Sequence, residues 1–73
     1  MELDALMQTE HGLTGVEIKS RGEVDGSDAR ALRAVAQASA EDWCGGIIVY
    51  RGLRLRLVDP DYRIWAVPAT RLL

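Results

Sequence analysis

Only one stretch of this chain repeats with a helical period, and it is set between stretches that alternate like strands. Over 28 to 43, Leu32, Val35, Ala36, Ser39 and Trp43 fall along one stripe, and Arg30, Arg33, Gln37 and Glu41 fall on the opposite side. Ser27 is placed to cap this helix, Asp28 suits the positive end of its dipole, and Gly45-Gly46 offers the left-handed conformation that commonly ends helices. One helix with one apolar stripe has to lie on a sheet, because nothing else in the sequence is built to cover it.

The flanking segments supply that sheet. Glu2 to Gln8 and Leu13 to Lys19 alternate apolar with polar around Thr9-Glu10-His11-Gly12, the pattern of an antiparallel hairpin. With an even number of loop residues, Leu3, Ala5 and Met7 share a face with Val16 and Ile18, and Asp4, Glu17 and Lys19 share the other; a three-residue loop separates the acids. Ser20 to Gly26 is polar and glycine-bearing and reads as a loop. Ile47-Ile48-Val49 is the unbroken β-branched run of a central strand covered on both faces. Passing from the Leu13 to Lys19 strand through the helix to this one makes a right-handed βαβ crossover. Leu53, Leu55 and Leu57 alternate with Arg54 and Arg56 as a further strand, Asp59-Pro60-Asp61 turns the chain, and Arg63 to Val67 forms a last strand before Pro68. The expected fold is therefore a single α/β (α+β) domain over 1–73, a small mixed sheet with one long helix.

At 73 residues with no intramolecular disulfide possible, such a domain has a thin core, since a chain this short buries only roughly 60% of its unfolded surface. Hydrophobic residues at 48% and charged residues at 27% exclude a disordered chain, and a net charge of −2 gives no global attraction to nucleic acid. No apolar run approaches the ~20 residues of a membrane span. The lone Cys44 fits a reducing compartment, and the sequence reads as cytoplasmic. An apolar end at Leu72-Leu73 and an edge strand at Glu2 to Gln8 predict self-association as a twofold homodimer.

The sharpest chemical grouping is Asp4 with Glu17-Ile18-Lys19. Residues two apart on a strand point the same way, so Glu17 and Lys19 are neighbours, with Asp4 across the ladder. Two carboxylates suit a hard divalent cation, Mg²⁺ or Mn²⁺, and a lysine beside them suits phosphodiester hydrolysis by orienting water and offsetting negative charge. A solvated cross-strand ion pair is the commoner meaning of Glu-x-Lys. Arg51, Arg54, Arg56 and Arg63 form a candidate basic patch on the later strands, making nucleic acid a candidate partner through local contacts only. His11 reads as a turn residue, Cys44 as a small packed side chain, and Trp43 and Trp65 as core or interface anchors.

Several blocks together resemble one family. They are Glu2-Leu3-Asp4, Val16-Glu17-Ile18-Lys19-Ser20, the helix from Ser27 to Val35, Gly46-Ile47-Ile48-Val49-Tyr50-Arg51-Gly52, and Arg63-Ile64-Trp65-Ala66-Val67-Pro68. In this order they resemble the PD-(D/E)XK nuclease-like C-terminal domain of prokaryotic AAA-type ATPases, with Ala31 where the family helix has glycine. The resemblance implies a partial restriction-endonuclease-like core. It makes Asp4, Glu17 and Lys19 the catalytic residues, with Asp4 and Glu17 holding the metal. It also implies a truncated nuclease-like domain, active or degenerate, whose partner is a parent-protein ATPase module, since the chain carries no P-loop sequence. The rival expectation is a non-catalytic interaction or oligomerisation module.

Overall fold

The computed structural model describes residues 3–72, so Met1, Glu2 and Leu73, including the expected start of the first strand and the last residue of the apolar end, lie outside the described residues. The chain forms β1 (Ala5–Thr9), β2 (Gly12–Ile18), a 3₁₀ turn (Gly26–Ala29), α1 (Arg30–Ser39), a second 3₁₀ turn (Ala40–Asp42), β3 (Trp43–Tyr50), β4 (Arg56–Asp59), β5 (Ile64–Pro68) and a closing 3₁₀ turn (Ala69–Leu72). The strands make one five-stranded mixed sheet in the order β1-β2-β3-β5-β4, with β3 at its centre. β2, β3 and β5 run parallel, and the two edge strands pair antiparallel to their neighbours. This is the expected α+β arrangement of hairpin, helical crossover and further strands.

The hairpin closes through Glu10-His11, an even loop, and its register sets Ala5 against Val16 and Met7 against Thr14. Thr9 Oγ1 accepts from the His11 N–H and so stiffens the turn. The first strand is shorter than the alternation predicts: the chain bends at Asp4, whose carboxylate accepts from the Ile18 N–H, and Leu3, expected on the face of Ala5 and Met7, instead packs against the core beside Gly15.

The α-helix is shorter at both ends than its stripe suggests, beginning at Arg30 after the 3₁₀ turn Gly26–Ala29. Asp25, not Ser27, caps that turn: its carboxylate accepts from the Ser27 N–H at 2.9 Å, and the Asp28 carboxylate accepts from the Asp25 N–H at 2.9 Å. This reciprocal pair satisfies two donors that a helix start leaves open. Asp28 also pairs with Arg21, tying the loop to the helix. At the other end the α-helix stops at Ala40, a non-glycine residue at φ 48°. Gly45 and Gly46 do not end it. They belong to β3, and Trp43 is a strand residue whose indole N–H donates to the Tyr62 carbonyl at 2.7 Å.

Close packing explains the displaced glycines. A Cβ at Gly15 would lie 2.5 Å from Leu32 Cδ2, and one at Gly46 3.1 Å from the same atom. These paired positions on β2 and β3 let α1 sit low on the sheet, with Leu32 filling the gap. The core lies between α1 and this one face: Leu32, Ala36, Trp43, Ile48, Tyr50, Ile64 and Ala66 are buried there, joined by Val24 and Ala29.

β3 is thus covered on one face, not two: Ile48 is buried, but Ile47 and Val49 remain half-buried on the side away from α1. The Leu53 to Leu57 strand is also reduced. β4 starts only at Arg56, and Leu53 is 89% exposed in the preceding loop. Pro68, expected to follow the last strand, completes it opposite Tyr50. Among the described residues no helix is long and apolar enough to cross a membrane.

Candidate functional site

Asp4 and Glu17 meet. Asp4 sits at the bend before β1, and Glu17 is the penultimate residue of β2, so the hairpin register extended by one step puts them opposite each other. Asp4 Oδ2 accepts from the Ile18 N–H at 2.6 Å, which leaves its other oxygen for Glu17 or a ligand. Lys19 follows directly past the strand end, its N–H held by the Val49 carbonyl at 2.8 Å, and it lines the same hollow as Glu17. The three residues therefore stand on one side of the sheet.

That side is the helix-covered one, a point the alternating pattern left undecided. Glu17 faces the same way as Gly15 and is only 9% exposed. Beside it opens a hollow of about 510 Å³, lined by Glu17, Lys19, Ser27, Asp28, Arg30 and the small side chains of α1. Ser27, Asp28 and Arg30 as walls of this hollow were not singled out in the sequence for that role. Arg30 looks like ordinary surface charge until the helix is laid on the sheet.

The two carboxyls are electrostatically unlike. The Ile18 N–H, then the Glu17 carboxyl and more weakly Lys19, hold Asp4 below the usual carboxylate range, against a small opposing effect of desolvation. Burial, followed by the hydrogen bond and the charge of Asp4, pushes Glu17 above its usual range, with Lys19 pulling the other way. Asp4 is the ready anion of the pair, and Glu17 is the group that holds a proton longer.

The donor set suits a hard cation of low coordination demand on the protein. Mg²⁺ keeps several waters and takes only one or two carboxylates, and a buried Glu17 whose proton affinity is raised by the neighbouring Asp4 anion gains from a positive charge between the two. Among the described residues no group of three or more histidine, cysteine or acidic side chains gathers to form a fuller cage.

Of the four arginines expected to form a basic patch, Arg51, Arg54 and Arg56 line one hollow of about 560 Å³ together with Glu23, Arg56 donating to the Val24 carbonyl at 2.9 Å. Arg63 stands apart, donating to the Trp43 and Cys44 carbonyls at the other end of β3. Arg33 is bound to Asp59 and the Gly26 carbonyl. Cys44 Sγ lies 2.7 Å from the His11 carbonyl, closing the turn end of the sheet.

No family model, no curated protein and no solved structure matches this chain.

Proposed function

We propose that this chain is a nuclease-like domain in which Asp4 and Glu17 hold a Mg²⁺ or Mn²⁺ ion and Lys19 assists phosphodiester hydrolysis, the partner on that face being nucleic acid. The observation that carries this reading is the meeting of the two carboxyls across β1 and β2 with Lys19 beside the same hollow. A bound divalent ion would supply charge neutralisation at a phosphoryl oxygen and an acidified water. The protein side of the work follows from the geometry. Asp4, anchored by the Ile18 N–H, presents a fixed anion. Glu17, with its raised proton affinity, is suited to hold a proton when the ion is absent and to give it up when the ion binds. Lys19 is positioned to orient a water and to offset charge on the phosphate, and Arg30 across the hollow to contact a neighbouring phosphate. With two protein ligands only, affinity for the ion is expected to be weak, and cleavage by the isolated chain to be weak.

Manganese titration followed by amide NMR tests this reading. Saturable paramagnetic broadening centred on Glu17, Ile18 and Lys19, abolished in Asp4→Asn and Glu17→Gln, is the expected result, together with any DNA cleavage being lost in Lys19→Ala. Broadening that is absent, or that survives both substitutions, overturns it.

A separate observation favours a second reading, an interaction or oligomerisation module. The sheet face away from α1 carries apolar side chains and no covering element among the described residues. Its candidate occupants are a second copy of the chain or an ATPase module of a parent protein. The two readings use opposite faces and are compatible.

A further inference from the structure

The register fixes which side chains share the face opposite α1. Val16, Ile47 and Trp65 form one cross-strand row, Ile18, Val49 and Val67 the next, with Ala5 and Met7 on β1 and Leu57 on β4 flanking them. Of these, Ile18 is 61%, Met7 51% and Trp65 38% exposed. Among the described strand residues none on this face is charged. The arginines and acids of the strands, Glu17, Arg56 and Asp59, all point to the helix side.

We propose that this face binds a second copy of the chain, closing two five-stranded sheets into a face-to-face sandwich. The proposal rests on the interaction-module reading and is independent of the metal reading. Three arguments favour a second copy over another occupant. An uncharged face offers a charged partner no ion pair to select it, and it offers no like-charge repulsion to its own image. Met7, Ile18, Leu57 and Trp65 remain 51%, 61%, 44% and 38% exposed, and with the half-buried side chains between them they make an apolar strip across all five strands, on the order of several hundred Å² of the ~800 Å² that each partner buries in a stable interface of ordinary size.

The relief is also self-complementary. Trp65 rises on one side of β3, and the shorter Val16 and Ile18 lie on the other. A twofold axis parallel to β3 sets the Trp65 of each copy over the Val16 and Ile18 of the other, with the two sheets ~10 Å apart and their strands within about 30° of alignment. Both Asp4–Glu17 pairs then face outward, each beneath its own helix, so each site remains accessible in the dimer.

Light scattering after size exclusion, from micromolar to near-millimolar concentration, tests the proposal on the full chain. The expected species has twice the 8.1 kDa monomer mass. Ile18→Lys and Trp65→Lys, at positions outside the core, should each weaken the dimer at least tenfold, with the circular dichroism unchanged. Leu6→Lys, on the helix side of the β1 edge strand, should leave it intact. Dimer loss in Leu6→Lys with retention in the two face variants would assign the contact to the strand edge and overturn the proposal. A monomer at all concentrations overturns it too. If that monomer binds an apolar dye and Ile18→Lys abolishes the binding, the interaction-module reading survives with a different partner; if no dye binds, both fail.

Discussion

Glu17 carries the largest conflict in the molecule at the level of single residues: an acid on the packed side of the sheet, next to another acid. A carboxyl raised in the folded state stabilises fully below the usual glutamate range, and that contribution is lost as pH rises through its raised value. Ionised Glu17 is therefore a penalty at neutral pH. Glu17→Gln is expected to raise the unfolding midpoint at pH 7 without metal, the gain shrinking as pH falls through the Glu17 titration; denaturant melts at several pH values check this, and a gain that grows toward acid would refute it. Asp4 runs the other way. Its lowered value gives stability that is present above the usual aspartate range and lost as pH falls through the lowered value. The residues of this grouping were legible in the sequence, since alternation puts Asp4, Glu17 and Lys19 on one side once the loop is even, and the two-residue Glu10-His11 connection makes it so. Which side they occupied was not. A clue lay in Gly15, two residues before Glu17, because a glycine inside a strand often marks the close approach of another element.

Among the elements, α1 depends on a single large side chain. Leu32 is fully buried against Gly15 and Gly46, and the helix has only ten residues, too few to persist without its sheet. Leu32→Ala is expected to cost about 2–5 kcal/mol, the range for truncating a buried leucine. A domain of this size commands roughly 4–11 kcal/mol in all, so the variant should melt far lower or be unfolded at 37 °C, as thermal circular dichroism will register. The helix stripe was readable because Leu32, Val35 and Ala36 recur at helical spacing. Its ends were not, because Asp25 and Asp28 form a local cap two residues ahead of Ser27, and Trp43 continues the same apolar stripe after the chain has already become β3. Periodicity cannot distinguish a last helical residue from a first strand residue when both face the same core.

For the whole molecule, the one-sided core has a thermodynamic consequence. If the open face is covered by a second copy, the folded state is linked to protomer concentration, and the melting temperature should rise with concentration for the native chain while Trp65→Lys shows no such rise. Differential scanning calorimetry over a hundredfold range of concentration reads this directly. The amino-acid sequence by itself determined the element types and the parallel β2–β3 pair around one helix, because these depend on side-chain periods of 2 and 3.6 that are written locally, while the two-residue hairpin loop set the shared side of the acidic pair. Only the tertiary structure decided that α1 covers the face bearing Glu17 and leaves Val16, Ile18, Ile47, Val49 and Trp65 open. Alternation states that a strand has two different faces but not which one the helix will choose, and here the choice was made by size. Gly15 and Gly46 leave a depression on the Glu17 face, and Leu32 fills it.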